Sequence, residues 1–190
     1  MEPLIDRFFP DPGRAALLVI DVQERLAEAM PRGELAQVTC NTVILIEGAK
    51  EFGIPCALSE QYPKGLGSTL PEIREAAGPA CQPVAKLAFS CCGEPAFDPL
   101  WQEWRERDIL LCGIEAHVCV LQTALDLLGR GHRVFIASDA VTSRMAHNKY
   151  LALDLLRQAG AVIGSTEIFL FGMQRAAGTE RFKRISRLVK

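Results

Sequence analysis

Residues 15–20 read Ala15-Ala16-Leu17-Leu18-Val19-Ile20, an unbroken apolar run of strand length that ends at the polar Asp21. In a parallel sheet the helices cover both sides, so an interior strand carries apolar side chains on both of its faces. A short apolar run without polar alternation is typical of such a strand. Residues 15–20 therefore predict a strand that is buried on both faces.

Five further runs of this kind follow along the chain, and helical patterns separate them. The runs are residues 54–58, 84–87, 109–113, 133–137 and 161–163. The main helical patterns are residues 35–52, 120–128 and 150–158, and in the first of them apolar side chains recur at three- and four-residue steps. Strands that alternate with helices predict crossovers in a parallel sheet. We therefore expect an α/β fold with three layers (α/β/α) and a six-stranded, mostly parallel, Rossmann-like sheet.

The composition is that of an ordinary globular domain. Of the 190 residues, 49% are hydrophobic and 23% are charged, which excludes intrinsic disorder and predicts one domain over residues 1–190. A formal net charge of −2 provides no basic field for nucleic acid or an anionic membrane. No apolar run approaches the roughly 20 residues of a membrane helix, and the first residues lack the pattern of a secretory signal. The sequence predicts a cytoplasmic protein without nucleic-acid or membrane partners.

Ligands of such sheets bind at the carboxyl ends of the strands, and three residues there can do chemistry. Cys119 follows the fourth strand and a short turn, and it precedes a predicted helix. A helix N-terminus favours a thiolate by only about 0.3–1 kcal/mol, so a neighbouring cation or base is also required. Lys86 in the apolar third strand and Asp21 at the end of the first strand are available for these roles.

Each of the three residues also has a purely structural interpretation. Cys119 is consistent with a buried core thiol, Lys86 with a lysine that protects an edge strand, and Asp21 with the cap of the following turn. The cysteines are interpreted as reduced thiols, of which one is reactive, because none of the seven belongs to a CxxC pair. The three positions indicate a site only when they are taken together.

Longer motifs around these positions resemble the isochorismatase-like cysteine hydrolases. The motifs are residues 17–23, Lys86 followed by Phe89 and Ser90, residues 113–120 and residues 137–140, in this order and spacing. The resemblance extends from about residue 15 to residue 171. Residues 61–67 and 181–186 are most similar to the isochorismatase domain-containing hydrolases, whose substrates are mostly unassigned. The resemblance implies a hydrolase.

What the resemblance implies at the site is a catalytic triad of Asp21, Lys86 and Cys119. In the implied mechanism Asp21 takes the thiol proton, Cys119 attacks a carbonyl carbon to form a thioester, and Lys86 keeps Asp21 ionised. The backbone N–H groups of Glu115 and Cys119 are the implied oxyanion hole, in a turn whose cis peptide bond joins Ile114 and Glu115. The implied activity is that of an amidase. Ester or thioester hydrolysis by the same triad, and a catalytically idle α/β assembly domain, are the alternatives.

Departures from the family pattern remove the metal site. Metal-binding relatives carry an aspartate and histidines after the second strand, where this chain has Glu60-Gln61-Tyr62-Pro63. We therefore expect metal-independent chemistry without a cofactor. The expected pocket for a small-molecule substrate includes Gln23, Tyr62, Phe89 and His117. The resemblance also implies a homo-oligomer.

Overall fold

The computed structural model describes residues 3–190, and this part of the chain forms an all-parallel sheet of six strands. The strands are β1 (Ala15–Ile20), β2 (Cys56–Gln61), β3 (Val84–Lys86), β4 (Asp108–Ile114), β5 (Val134–Thr142) and β6 (Val162–Gly164). Their order across the sheet is β3-β2-β1-β4-β5-β6. The prediction of an α/β fold with a six-stranded parallel sheet is confirmed.

Nine α-helices connect and flank the strands of residues 3–190. They are α1 (Glu24–Glu28), α2 (Arg32–Phe52), α3 (Pro63–Leu66), α4 (Pro71–Ala77), α5 (Asp98–Glu103), α6 (Leu121–Gly129), α7 (Ala146–Gln158), α8 (Thr166–Gln174) and α9 (Glu180–Leu188). The helix α2 ends where the sequence predicts, because Gly53 adopts a left-handed φ of 68° and its N–H bonds back to the last turn. None of the helices in the described part of the chain is long and apolar enough to span a bilayer.

Side chains of β1 alternate between two apolar layers, one on each face of the sheet. Leu17 and Val19 pack in the layer that α2, α8 and α9 cover, whereas Leu18 and Ile20 pack in the layer that α6 and α7 cover. All six residues of β1 are buried. This double coverage explains why the strand has no polar alternation, and it gives the predicted three layers.

Two strands extend by three or more residues beyond their apolar runs. β2 begins at Cys56 rather than residue 54 and continues through Gln61, and β5 continues to Thr142, so Ser138 and Asp139 lie inside β5 and not after it. These two polar side chains are half-buried and have hydrogen-bond partners. Asp139 Oδ1, for example, accepts hydrogen bonds of 2.8 and 2.9 Å from the backbone and hydroxyl of Thr166, at the start of α8.

The chain reverses its direction across the sheet between β3 and β4, and this reversal places the carboxyl ends of β1 and β4 side by side. Open α/β sheets bind ligands at such a switch point. Gly113 in β4 pairs with Ile20 in β1 and has a φ of 121°. A Cβ atom added at Gly113 would lie 2.0 Å from the carbonyl oxygen of Ile20. Only glycine permits this close approach.

We predict that Gly113→Ala lowers the free energy of unfolding by about 2–4 kcal/mol, because alanine would be strained at this φ and would clash with backbone. Gly129→Ala is the matched control, since its added methyl group meets nothing within 4 Å. Urea unfolding followed by circular dichroism measures both changes. Equal stability of the two variants would contradict the role of Gly113.

Candidate active site

Asp21 is the first residue beyond β1 and lies completely buried at the switch point. Its φ of 51° is left-handed, and its backbone N–H donates to the Ser59 carbonyl oxygen at 3.2 Å. The carboxylate is held at both oxygens: Oδ1 accepts a hydrogen bond of 2.7 Å from the Ser59 hydroxyl, and Oδ2 lies 2.7 Å from Lys86 Nζ. The side chain therefore has one fixed orientation.

Lys86 is the last residue of β3, and its ammonium group is enclosed by oxygen atoms. In addition to Asp21, Nζ contacts Gln61 Oε1 at 2.7 Å and the carbonyl oxygens of Phe89 and Ala88 at 2.9 and 3.3 Å. Burial has the largest single effect and lowers the pKa of Lys86, but the Asp21 charge and the other groups around the ammonium group together raise it by more, so the net pKa is raised. The lysine is a permanent buried cation and not a strand-edge residue facing solvent.

Cys119 lies in a π-helical turn, Ala116–Val120, that leads directly into α6. Only 5% of the residue is exposed, and Sγ lies 3.9 Å from Gln61 Oε1. Burial and the negative charge of Asp21 raise the pKa of this thiol well above its ordinary value, and the nearby Lys86 cation offsets only part of that rise. The structure thus brings Asp21, Lys86 and Cys119 into one electrostatically coupled group.

The resting thiol is therefore protonated, as the implied mechanism requires when Asp21 takes its proton, and Lys86 favours the thiolate only in part. The physical reason is that Cys119 is buried beside a carboxylate as well as a cation. A helix N-terminus contributes less than one pKa unit, too little to overcome both effects. Activation of the thiol requires removal of its proton during the reaction, and the Asp21 carboxylate is the adjacent base.

The turn between β4 and Cys119 is anchored to the segment that follows β5. The peptide bond between Ile114 and Glu115 is cis. The buried Glu115 carboxylate accepts hydrogen bonds from Arg144, at 2.9 Å from the backbone N–H and 3.0 Å from Nε. His117 Nδ1 lies 2.9 Å from the Ser143 hydroxyl. These hydrogen bonds hold the turn that precedes Cys119 in place.

Gln23, one of the expected pocket residues, is fully buried, and its side chain links β2 to the loop at Gly67 by hydrogen bonds. Its Nε2 donates to the carbonyl oxygens of Gln61 and Gly67 at 3.0 and 2.7 Å, and its Oε1 accepts from the Gln61 N–H at 2.7 Å. Both amide hydrogens are therefore engaged by backbone. The two hydrogen bonds between Gln23 and the Gln61 backbone hold Gln61 beside Lys86.

Tyr62 and Phe89, two other expected pocket residues, are 50% and 53% exposed. Tyr62 lines a cavity of about 320 Å³ together with Lys86, Leu87 and Glu94, on the β2–β3 side of the site. Phe89 contributes its carbonyl oxygen to the Lys86 ammonium group. Their side chains are thus free to meet a ligand near the buried cation.

Ser59 and Gln61 follow the second apolar run and belong to the site, but no catalytic or binding role was predicted for them from the sequence. Both lie in β2, and they hold Asp21 and Lys86 respectively. In the sequence they are polar residues that directly follow an apolar run. This pattern is as typical of a loop as of a longer strand, so it does not predict their roles. Gln61 Nε2 donates to the Leu87 carbonyl oxygen at 2.8 Å, so its whole amide is engaged. Within residues 3–190 there is no cluster of three or more His, Cys, Asp or Glu side chains that could hold a metal ion.

Comparison with known proteins identifies relatives that span nearly the whole chain. The isochorismatase domain model matches residues 15–168. Isochorismatase domain-containing protein 2 of Bos taurus is 37% identical over 180 residues, which cover 94% of this chain and 84% of the relative. The secreted isochorismatase effector Isc1 of Phytophthora sojae is 39% identical over 185 residues, which cover 94% of this chain and 86% of the relative.

Solved structures agree with this comparison. A Caenorhabditis elegans protein described as MAR1 ribonuclease has a TM-score of 0.87 and 35% identity, with 94% of this chain and 91% of that chain covered. The YcaC gene product of Escherichia coli, described as an octameric hydrolase of unknown specificity, has a TM-score of 0.80 and 23% identity, with 87% and 82% covered. The second likeness concerns the fold alone.

We predict that Lys86→Met destabilises the protein by about 3–5 kcal/mol, because it leaves the Asp21 carboxylate buried without its cation. The double variant Lys86→Met/Asp21→Asn should recover most of this loss, since neither charge remains. Urea unfolding measures both. Lys50→Met is the control: Lys50 is exposed and pairs with Glu47 at 2.8 Å, so the expected change is below about 1 kcal/mol. Equal losses in the single and double variants would show that the pair is not coupled.

We predict that iodoacetamide alkylation of Cys119 keeps accelerating above pH 9.0, the ordinary pKa of a thiol. Asp21→Asn should move the rise to lower pH, because the charge that raises the Cys119 pKa is removed. Lys86→Met should move it to higher pH, because the charge that lowers this pKa is removed. Peptide mapping after timed labelling gives each profile. A wild-type profile in both variants would rule out the coupling.

Proposed function

The chain belongs to the isochorismatase family, whose members are generally hydrolases, and we propose that it is a cysteine hydrolase that cleaves a small amide or a related acyl compound through a thioester on Cys119. The observation that carries this proposal is the ion pair of 2.7 Å between the completely buried side chains of Asp21 and Lys86, beside a buried thiol. Burying two charges costs several kcal/mol per ion before pairing. A catalytically idle assembly domain would gain no function from this buried charge pair.

In the first step the Cys119 sulfur attacks the substrate's carbonyl carbon while its proton passes to Asp21. The carbon–sulfur bond forms as the carbonyl π electrons move onto oxygen. Because the thiol keeps its proton until attack, no buried thiolate has to be stabilised in the resting protein. Lys86 stabilises the carboxylate that takes the proton, and Ser59 keeps this carboxylate oriented.

In the second step the tetrahedral intermediate collapses and the carbon–nitrogen bond breaks. The backbone N–H groups of Glu115 and Cys119 form the proposed oxyanion hole, and Asp21 returns its proton to the departing amine. Asp21 then takes a proton from a water molecule, whose oxygen attacks the thioester carbon. The carbon–sulfur bond breaks, the acid leaves, and Asp21 returns the proton to the Cys119 sulfur. Asp21 thus acts as base and acid in each half of the reaction.

The same residues can hydrolyse an ester or a thioester, since these acyl compounds differ from an amide in the leaving group. The departing alcohol or thiol would take the proton from Asp21 in place of the amine. Tyr62, Phe89 and His117 are the proposed pocket residues, and Gln23 contributes by positioning Gln61. We propose a reaction without metal or other cofactor, because the amide of Gln61 is engaged by Lys86 and the Leu87 backbone.

The proposed substrate is a small molecule and not a nucleic acid or a membrane lipid, because a net charge of −2 offers no attraction to a polyanion. One structural relative is described as a ribonuclease, so RNA belongs among the compounds to be tested. We further propose that residues 1–190 form one domain and that the protein is a cytoplasmic homo-oligomer. The octameric assembly named for the Escherichia coli structure supports the oligomer. The relative that is named a secreted effector differs from the proposed location.

We predict that the protein releases ammonia or amine from at least one member of a panel of small primary and secondary amides, and that chelation does not reduce the rate. Cys119→Ser should lower kcat by at least about a thousandfold, because the hydroxyl is a far weaker nucleophile beside the same base. Cys40→Ser is the control, since Cys40 is exposed on α2. Hydroxylamine added during turnover should trap the acyl group as a hydroxamate.

The same panel includes matched esters, thioesters and a short RNA. Turnover of esters alone would replace the amidase proposal with the esterase alternative. Turnover that survives in Cys119→Ser, or RNA cleavage without any acyl substrate, would overturn the thioester mechanism.

A further inference from the structure

Cys56 and Cys81 form a pair of thiols at the end of the sheet opposite the candidate active site. Cys56 begins β2 three residues before Ser59, and Cys81 lies three residues before Val84, with which Ser59 pairs in β3. Cys81 lies in the turn that leads into β3, and both cysteines pack against the apolar layer that α2 covers.

The Cys81 thiol points toward Cys56. Cys81 Sγ lies 3.3 Å from the carbonyl oxygen of Cys56, and the two thiols are hydrogen-bond partners. Both cysteines are reduced and partly exposed. Two thiols in contact are the starting arrangement that disulfide formation requires.

The surroundings of Cys81 favour its thiolate. Arg74 in α4 donates to the carbonyl oxygen of Cys81 at 3.4 Å and to Gln82 Oε1 at 3.3 Å, which keeps its cation beside the Cys81 turn. The hydrogen bond from Cys56 lowers the pKa of Cys81 against the effect of burial, and the Arg74 charge and a Leu58 backbone hydrogen bond lower it further, to about 7. Burial and the contact with Cys81 raise the pKa of Cys56.

We propose that Cys56 and Cys81 are a redox modification site, in which hydrogen peroxide oxidises Cys81 and Cys56 then closes a disulfide with it. A thiolate that peroxide can reach, beside a resolving thiol, is the arrangement that reacts reversibly with hydroperoxides, and Cys81 is partly exposed. The site lies five residues before Gln61 along β2, about 17 Å from the catalytic end at about 3.3 Å per residue. It is therefore separate from Cys119.

The chemistry balances with peroxide as the oxidant. The Cys81 thiolate attacks one peroxide oxygen, the O–O bond breaks, and hydroxide leaves and takes up a proton to form water. The product is a sulfenic acid at Cys81. Cys56 sulfur then attacks the Cys81 sulfur, and the S–O bond breaks as the Cys56 proton converts the leaving hydroxide to water. The two thiols lose two hydrogens, and the peroxide is reduced to two waters.

The test treats the reduced full-length protein with a small molar excess of hydrogen peroxide at pH 7, followed by digestion without reductant and mass spectrometry. We expect one cross-linked peptide pair that joins Cys56 to Cys81, two hydrogens lighter than the free peptides and restored by dithiothreitol. In Cys56→Ser, dimedone should trap a sulfenic acid at Cys81. Cys40→Ser should form the cross-link at the wild-type rate.

The role of Arg74 gives a second readout. Arg74→Gln should slow cross-linking at pH 7 by about two- to fivefold, which corresponds to a Cys81 pKa raised by about half to one unit. Arg74→Lys should restore the rate, and Arg105→Gln on the exposed surface should not change it. Oxidation of Cys40 or Cys119 before any Cys56–Cys81 cross-link appears would overturn the proposal, as would a disulfide that joins two chains through Cys81.

Discussion

The ion pair between Lys86 and Asp21 is the interaction on which the rest of the site depends. Its two side chains come from strands that are not neighbours, since β2 lies between β3 and β1. The lysine must therefore cross over β2, and β2 accommodates it with polar residues, Ser59 and Gln61, where an apolar strand would leave both charges without hydrogen bonds. A buried charge pair is tolerable only when such partners complete it.

This constraint also explains which parts of the structure could be predicted from the sequence. Apolar runs such as residues 15–20 are determined by burial on both faces, so their strands and the class of fold followed directly. Asp21 and Lys86 were predicted because each places a charge at an apolar strand, and Cys119 because it lies between a strand and a helix. The roles of Ser59 and Gln61, and their place inside β2, were not predicted, because they depend on hydrogen bonds to residues far along the chain and periodicity does not carry that information.

The raised pKa of Cys119 is a second property that could not be predicted from the sequence. Local features of the sequence, a turn before a helix and a lysine elsewhere in the chain, favour a thiolate. The outcome depends on how deeply the thiol is buried and on how close the carboxylate lies, and both are properties of the assembled fold. The pair of Cys56 and Cys81 has the same origin, because 25 positions separate the two cysteines and only the folded chain brings them together.

The amide of Gln61 has a consequence for how such a protein evolves. Its oxygen faces the Lys86 ammonium group, and its nitrogen faces the Leu87 carbonyl oxygen. Glutamate would lose the donor and add a second negative charge, whereas an aspartate or histidine would be too short or differently shaped to reach both partners. A lineage that places a metal ligand near this position must therefore rebuild the enclosure of the lysine at the same time. The side chain at position 61 is therefore constrained by Lys86, although 25 positions separate the two residues along the chain.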